Sequence, residues 1–251
     1  YHDLRSRGIG LLESKLEGNE HTGIGNDYKG WEFYKDTRVL YGSVIIDGKV
    51  HQHPAPTRMF WRPDKMICEY EIGDLRIREE KFIGANDAAA SIITSSKPVI
   101  LRFEGRSLLV RDSISSTSEI RYDPAGNTIL ISEGGTIHSR PDPDGPERIG
   151  PCVYEGMTTA LSCSKDFSKS VKFDKGKKGE RIYLFEIPCD SKGTTISWAM
   201  NDDQGKARQA AREIISKDQQ MLTAKTAEMN RKLNEEIPQF RCSDPKFEEI
   251  Y

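Results

Sequence analysis

Carboxylate pairs are the first candidates for chemistry in this sequence, because hydrolysis of glycosidic and many other bonds uses two carboxyl groups that face one cavity. Glu79 and Glu80 are adjacent, and neighbouring residues of a strand point to opposite faces of the sheet. Glu69 and Glu71 share a face, but each is better explained as the ion-pair partner of an arginine on the next strand. The sequence therefore predicts no catalytic residue in this chain.

Metal-binding and nucleophilic patterns are equally incomplete. His51 and His53 could lie on one side of a strand, but two ligands do not make a metal site. The glycine-rich stretch from Gly23 to Asp27 lacks the flanking strand and helix and the Lys-Ser/Thr pair of a phosphate-binding loop. The five cysteines are widely spaced, with no pair at metal-ligand spacing, which favours reduced, partly buried thiols. We therefore predict no metal and no cofactor, and the cytoplasm is slightly favoured over secretion.

The aromatic and polar density between Tyr28 and Asp64 is the feature best suited to ligand contact. Flat rings beside arginine and aspartate side chains suit contact with sugars, whereas packing in a core plus a salt bridge in a turn is the alternative explanation. The sequence leaves both open. The candidate residues for sugar contact are Trp31, Tyr34, Trp61, Arg62 and Asp64.

Composition excludes several classes of partner. Charged residues make up 30% of the 251 residues and hydrophobic residues 36%, and the formal net charge is -2. A chain this close to neutrality has no basic field for nucleic acid or anionic lipid. No apolar run approaches the roughly 20 residues of a membrane-spanning helix. We expect neither nucleic acid nor a membrane as partner.

Short strands separated by turns rich in Gly, Pro, Asp and Asn follow one another from Arg38 to Ala199, without intervening helices. This pattern predicts a large antiparallel β-sandwich, or supersandwich, of ten or more strands. A loop-rich entry segment over residues 1–37 precedes it. Asp47-Gly48 is the strongest signal for a two-residue hairpin in the chain.

The Gly73-Asp74 turn fixes the register of the hairpin around it, because glycine stands first, as a type II′ turn requires. Two cross-strand ion pairs are predicted on the solvated face, Glu71–Arg76 and Glu69–Arg78. If the alternation of inward-facing and outward-facing residues continued along this strand, Glu79 would point into the core and Phe82 toward solvent. The sequence therefore predicts a β-bulge at Glu79 or Glu80 that restores the phase.

From Asp203 onward the apolar period changes to that of a helix. One amphipathic helix is predicted from Asp203 to Asn234, and Pro238 ends it. Ser243-Asp244-Pro245 supplies the cap and the first-turn proline of a second helix. We therefore expect a β-domain over residues 1–200, a long linker helix over 201–238 and, over 239–251, the start of a helical domain that continues past Tyr251.

Three stretches together resemble a known group of enzymes. They are HPAPTRMFWRPDKMICEYE from His53 to Glu71, ISWAMNDD from Ile196 to Asp203, and DPKFEEIY from Asp244 to Tyr251. With the predicted helix between the last two, they resemble the N-terminal β-supersandwich, linker and first helix of glycoside hydrolases with an (α/α)6-barrel catalytic domain. Glucoamylases, trehalases, processing α-glucosidases and glycogen-debranching-like proteins share that plan.

The resemblance implies that the general acid and general base lie in the helical barrel, so this chain alone is inactive. It implies two partners, a carbohydrate and the C-terminal helical catalytic domain, whose substrate rim this domain would shape. A free-standing carbohydrate-binding or adhesive sandwich is the alternative, and a purely structural sandwich is a third. We also expect the isolated chain to expose an apolar surface along the predicted helix and the loop from Trp61 to Asp64, and to self-associate.

Overall fold

The structure, a computed structural model, is a sandwich of two antiparallel sheets with a helix packed on the outer side of the larger sheet. It describes residues 11, 40–52, 56–62, 64–84, 88–106, 114–137, 140–141, 148–149, 152–176, 181–217, 219–236 and 243. The predicted fold class, mainly β with a large antiparallel sandwich, is confirmed.

The described elements are a long succession of strands followed by two helices. They are β1 (Tyr41–Ile46), β2 (Lys49–Gln52), β3 (Arg58–Trp61), β4 (Met66–Ile72), β5 (Leu75–Ile83), β6 (Ala88–Ser95), β7 (Val99–Arg106), β8 (Ile114–Asp123), β9 (Thr128–Ile137), β10 (Arg140–Pro141), β11 (Arg148–Ile149), β12 (Cys152–Cys163), β13 (Lys172–Lys175), β14 (Arg181–Cys189), β15 (Thr194–Asn201), α1 (Gln204–Ser216) and α2 (Gln219–Glu236).

The larger sheet has eight strands in the order β3-β4-β5-β6-β15-β12-β9-β8, and the smaller has five in the order β13-β14-β7-β1-β2. The short strands β10 and β11 pair with each other. In the larger sheet β15 lies between β6 and β12, although more than 90 residues separate it from β6 along the chain. Among the described strands, β3 lies at one edge of this sheet and is paired only with β4.

The main core lies between the two sheets. Fully buried aromatic side chains dominate it, and Phe167 and Phe185 stack at 4.4 Å between ring centroids. The larger sheet contributes inward-facing residues such as Tyr70, Ile77 and Trp198 to the same cluster. Burying one such large side chain contributes about 1.5 to 3 kcal/mol, so this layer is the main source of stability.

A second core lies on the opposite face of the larger sheet, under α1. Small residues of the sheet allow the helix to approach closely, and the cluster consists of Phe82, Ala88, Ala90, Leu130, Ala160, Ala199, Ala207, Ala211 and Ile214. The hydroxyl of Ser197 donates to the main-chain oxygen of Ala211 at 2.5 Å. Asp203 caps the helix, since its side chain accepts from the Lys206 N–H at 2.9 Å. The helix is thus part of the sandwich rather than a free connector.

The prediction of one continuous helix from Asp203 to Asn234 is wrong, because the structure has two helices there. Lys217 has an extended backbone, with φ -94° and ψ 152°, and separates α1 from α2. The hydroxyl of Ser216 donates to the Glu213 carbonyl at 2.9 Å, a local bond that competes with helix propagation. The sequence Ser216-Lys217-Asp218 carries two residue types that favour caps over helix interiors, and apolar period alone did not reveal this.

Both predicted hairpins are confirmed. Asp47 and Gly48 have positive φ angles of 49° and 76°, as the mirror-image turn of a tight hairpin requires. Gly73 also has a positive φ of 62°, and the register places Ile72 opposite Leu75. The two predicted ion pairs form on the solvated face, Arg78–Glu69 at 3.1 Å and Arg76–Glu71 at 3.9 Å.

The predicted β-bulge at Glu79 or Glu80 is wrong. Strand β5 pairs without a break with β4 and with β6, so the alternation continues to its end. Glu79 therefore points into the main core and Phe82 into the second core. The sequence argument assumed that the outer face is solvated, whereas α1 covers that face and gives Phe82 an apolar environment.

Candidate functional site

Trp61 stands at the end of the edge strand β3 with 75% of its surface exposed. Met59 and Phe60, in the same strand, are 59% and 47% exposed. The alternative explanation from sequence had two parts: packing in the core does not hold for this tryptophan, whereas the salt bridge in the turn is present. A rigid strand that presents an aromatic ring to solvent offers a flat apolar surface for a partner or a ligand.

The turn that follows Trp61 is held by its own main chain and by an ion pair. Arg62 and Lys65 exchange main-chain hydrogen bonds of 2.8 and 3.2 Å. Arg62 donates through Nε and Nη2 to the two oxygens of Asp64, at 2.9 and 3.3 Å. The carboxylate of Asp64 is buried, while the Arg62 side chain is 56% exposed. Asp64 thus orients the guanidinium, whose other N–H groups can donate to a ligand.

Of the five residues predicted for sugar contact, the structure brings Trp61, Arg62 and Asp64 together on this turn. Trp31 and Tyr34 lie outside the described residues, so their part in the site stays a prediction. The three described residues form a rigid aromatic and cationic corner. Such a corner can stack on a ring and donate hydrogen bonds, but it carries no free acid and base pair.

A groove of about 540 Å³ lies over strands β3, β4 and β5, and neither Trp61, Arg62 nor Asp64 lines it. Charged side chains from three strands line it, namely Arg58, Glu69, Glu71, Arg76 and Arg78. Both glutamates lie in the cross-strand ion pairs described above, and Glu80 binds Lys65 at 2.7 Å. Carboxylates held by arginine and lysine in this way are poor candidates for acid and base catalysis.

Glu79 is the one carboxylate of this hairpin that is fully buried, at 0% exposure. Its Oε1 accepts from the Ser91 hydroxyl at 2.5 Å and from the Leu11 N–H at 2.9 Å. Its Oε2 accepts from the Tyr70 hydroxyl at 2.7 Å and lies 3.8 Å from the ammonium of Lys81. The charge is therefore satisfied inside the core, and this carboxylate is sealed from any substrate.

The pKa values of Tyr70 and of three buried cysteines are all raised, which keeps these groups protonated and unreactive. Burial, the charge of Glu79 and the hydrogen bond to it raise the pKa of Tyr70 far above its ordinary value. Burial and then the Glu79 charge also raise the pKa of Cys68. Burial raises the pKa of Cys163 to about 12 and that of Cys189 to about 11. Thiols shifted upward in this way stay protonated near neutral pH and are poor nucleophiles.

Sequence reasoning rejected the inward position of Glu79 in favour of a β-bulge, and it also missed the partners of this carboxylate. Tyr70 and Ser91 are polar residues at inward-facing positions of the two strands that flank β5. Two polar residues on the same inward face could have indicated from sequence that a buried carboxylate lies between them. The contact from Leu11 spans 68 residues of sequence and has no local signature.

Metal and membrane features can be judged for the described part of the chain. There, no three His, Cys, Asp or Glu side chains are grouped as a metal site. His51 lies in β2, whereas His53 falls outside the described residues. The helices of the described part include none that is long and apolar enough to span a membrane.

Comparisons with known proteins found likeness in structure but not in sequence. No family model matches the chain, and no curated protein matches it. Many solved structures resemble it, and three of them each have a TM-score of 0.47. A protein assigned as a kojibiose phosphorylase from the human microbiome is 9% identical, over 77% of this chain and 28% of its own.

The other two structures are a family GH92 α-mannosidase from Bacteroides thetaiotaomicron and a bacterial glucoamylase complexed with acarbose. Each is 11% identical to this chain, over 78% and 77% of it respectively. The chain thus spans about 28 to 31% of the length of the three structures.

Proposed function

We propose that this chain is the non-catalytic N-terminal β-domain of a glycoside hydrolase. In this proposal it packs against an (α/α)6 catalytic barrel and shapes the rim of the substrate site. The observation that carries the proposal is the exposed indole of Trp61, fixed beside the Arg62–Asp64 pair. The sequence resemblance of three stretches to such enzymes adds independent support.

The corner at Trp61 has the features of a preorganised sugar contact. The β3–β4 pairing and the Arg62–Lys65 bonds hold the strand end in one conformation, so little entropy is lost when a ligand binds. The indole face can stack on a sugar ring, and the guanidinium of Arg62 can donate to ring hydroxyls. Trp61, Arg62 and Asp64 are therefore the residues assigned to the rim, and Trp31 and Tyr34 remain candidates.

Helix α2 supports the proposed contact with a helical domain. Met221, Met229 and Leu233 are exposed, and their spacing of eight and four residues places them along one stripe of the helix. Salt bridges of Arg231 with Glu228 and Glu235 lie on the neighbouring surface. An apolar stripe of this kind suits packing against another helix, as the outer helices of a barrel would provide.

The proposal places the acid and base pair outside this chain. The described carboxylates around the Trp61 corner are either ion-paired, as Glu69, Glu71 and Glu80 are, or sealed in the core, as Glu79 is. We expect no hydrolysis of maltoheptaose by the 251-residue chain. Turnover abolished by Glu79→Gln or Glu80→Gln would contradict the non-catalytic role.

The first test is the coding sequence beyond Tyr251, which is expected to encode several more amphipathic helices with paired carboxylates. In the protein that includes them, Trp61→Ala should raise KM for a maltooligosaccharide about tenfold, as expected for loss of one stacking contact, with kcat within about twofold. Met59→Ala, at an exposed position of the same strand, is the matched control. An unchanged KM in the Trp61 variant would remove the rim role.

A free-standing carbohydrate-binding module is the second candidate, and the same exposed Trp61 favours it. Titration calorimetry of the 251-residue chain with maltoheptaose separates the two functions. Micromolar binding that Trp61→Ala removes would favour the module, because a rim contact alone is too small to bind a sugar tightly. Weak or absent binding by the isolated chain is the result expected for a rim.

A further inference from the structure

One segment of the chain is strongly basic, although the chain as a whole is not. Residues 165–181 contain seven lysine or arginine residues and three aspartate or glutamate residues, whereas the net charge of the whole chain is -2. The segment includes β13 and the first residue of β14. Salt limits the reach of a surface charge to about 8 Å at physiological ionic strength, so this local excess can attract anions.

Two of these cations lie side by side on one face of the smaller sheet. In the register of β13 with β14, Lys175 lies directly opposite Arg181, and Phe173 lies opposite Tyr183. Tyr183 belongs to the main core. Because opposed residues and alternate residues share a face, Phe173, Lys175 and Arg181 all project from the core side of the smaller sheet. Like charges at directly opposed positions destabilise a sheet, and an anion bound between them would remove that cost.

A cleft of about 460 Å³ is lined by β8 of the larger sheet and by β13 and β14 of the smaller sheet. Phe173 and Ile120 supply apolar surface to it, and Lys175 and Arg181 supply positive charge. Phe173 is 46% exposed, although it projects from the core side of its sheet. The volume is within the range of small-ligand sites, roughly 300 to 1,000 Å³. The phenyl ring is therefore open to a small ligand that enters the cleft.

Two residues that line the cleft carry carboxylates, but strand alternation turns both side chains to other faces. Asp174 lies between Phe173 and Lys175 in β13, so it projects from the opposite side of the smaller sheet. Its Oδ1 accepts from the Lys175 N–H at 2.7 Å. Glu119 precedes Ile120, which packs against the main core, so it projects from the outer side of the larger sheet. The described side chains on the core side of the cleft are apolar or cationic.

We propose that this cleft binds an oligosaccharide that carries anionic groups, carboxylate or sulfate, as a second carbohydrate site of the chain. A sugar ring stacks on Phe173, and its anionic group accepts hydrogen bonds from Lys175 and Arg181. The cleft adjoins β8, which stands at the opposite end of the strand order of the larger sheet from β3 and Trp61. The anionic group follows from the cations, whereas the choice of a sugar rests on the proposed function.

Two observations favour a short acidic sugar over nucleic acid or a lipid surface, which are also anionic. The cleft has limited volume and one exposed aromatic ring, whereas a single strand of nucleic acid stacks on successive rings along an extended groove. The net charge of -2 also repels a long polyanion where it extends past the basic segment.

The test is titration calorimetry of the 251-residue chain with trigalacturonate, which carries carboxylates, and with sucrose octasulfate. We expect at least one of the two to bind, and more tightly at low than at moderate salt. Uncharged maltotriose should bind this cleft at least about tenfold more weakly. Lys175→Glu and Phe173→Ala should each weaken binding of the acidic sugar about tenfold or more.

Lys172→Glu is the matched control. Lys172 lies in the same strand and the substitution changes the net charge equally, but its side chain projects from the other side of the sheet. It should change the affinity by less than about twofold at moderate salt. Equal losses of affinity in the Lys172 and Lys175 variants, or no binding of either acidic sugar at millimolar concentration, would overturn the proposal.

Thermal unfolding separates the loss of a site from the loss of the fold. Lys175→Glu places opposite charges across the β13–β14 pair, so it should leave the unfolding temperature unchanged or raise it. Loss of binding in that variant then reports on the cleft.

The last arms of the test separate this proposal from its alternatives. Oligodeoxythymidylate or phosphatidylserine vesicles that bind more tightly than either acidic sugar would overturn the choice of a sugar. Trp61→Ala should leave the binding of the acidic sugar unchanged. An effect of Trp61→Ala on maltooligosaccharide turnover without any binding of acidic sugars would overturn this proposal and leave the rim role intact.

Discussion

Glu79 lies in β5 and Trp61 in β3, two strands apart near one edge of the larger sheet, and each side chain has an exposure that is unusual for its type. Glu79 is a charged residue with no exposed surface, and Trp61 is an aromatic residue with three-quarters of its surface exposed. The carboxylate has three hydrogen-bond donors and a nearby ammonium inside the molecule. The indole is still largely exposed among the described residues. A buried carboxylate whose hydrogen bonds are all made inside the protein indicates a structural role. An indole that is exposed to this extent indicates contact with a partner.

The largest effect expected from this comparison is that of Glu79→Ala. The substitution leaves the Tyr70 and Ser91 hydroxyls and the Leu11 N–H without their acceptor inside the core, so the free energy of unfolding should fall by about 3 to 5 kcal/mol. Urea denaturation measures it. Glu71→Ala, on the solvated face of the same hairpin, is the control and should change stability by less than about 0.5 kcal/mol. Similar losses in the two variants would contradict a structural role for Glu79.

Helices α1 and α2 can be compared in the same way. Helix α1 packs on the sheet of this chain, whereas α2 is proposed to pack against another domain. Ile214→Ala in α1 removes a side chain that is buried against the sheet, and stability should fall by about 2 to 4 kcal/mol. Met229→Ala in α2 removes an exposed side chain and should change stability by less than about 0.5 kcal/mol. Thermal and urea unfolding of the isolated chain check both. A large loss for Met229→Ala would mean that α2 is already packed within this chain.

Alkaline pH should lower the free energy of unfolding through a group in the buried core rather than through the exposed edge strand. The folded pKa of Cys163 is raised from 9.0 to about 12, so its contribution to stability is complete below pH 9 and is lost as pH rises toward 12. The free energy of unfolding should fall over that window by about 1.4 kcal/mol per pH unit from this one group. Cys163→Ala, compared with wild type in the presence of reductant, should show a shallower decline. An unchanged slope would mean that this thiol does not titrate on unfolding.

The smallest effect is expected for the ion pairs on the solvated face. A double-mutant cycle on Glu69 and Arg78, 3.1 Å apart, should give a coupling of about 0.2 to 1 kcal/mol. The Glu71 and Arg76 pair, at 3.9 Å and more exposed, should give less. Chemical denaturation at low and moderate salt measures both. A stronger coupling for Glu71 and Arg76 would contradict the packing of this edge.

Local signals in the sequence were sufficient for the sandwich and for the hairpins. The Gly73-Asp74 turn set a register that, if continued, would put Glu79 inside, and the structure continues it without a break. The assumption of a solvated outer face then led to the wrong bulge, because nothing near Phe82 in sequence announces that α1, more than 120 residues later, covers it. Alternation shows which face a residue points to, but not what lies on that face.

The residues of the candidate site could be predicted from sequence, but the exposure of the Trp61 side chain could not. Trp61, Arg62 and Asp64 were selected because aromatic and ionic residues were close in sequence, and core packing with a salt bridge in the turn was the alternative explanation. Exposure of the indole depends on β3 being an edge strand, and strand order follows from long-range pairing. The break at Lys217 was also missed, because the apolar period continues across it while the main chain does not.

The position of β15 sets the order in which this chain can fold during synthesis. Strands β6 and β12 flank it, and both leave the ribosome before it does. Until Asn201 has been made, each of them has an open edge, and the alanine-lined face that α1 later covers is bare. The nascent protein therefore carries two unfinished half-sheets that are prone to aggregation, and closing them requires contacts between distant residues, which form slowly. A chaperone that binds exposed strands is most needed while residues from about 164 to 216 are being synthesised.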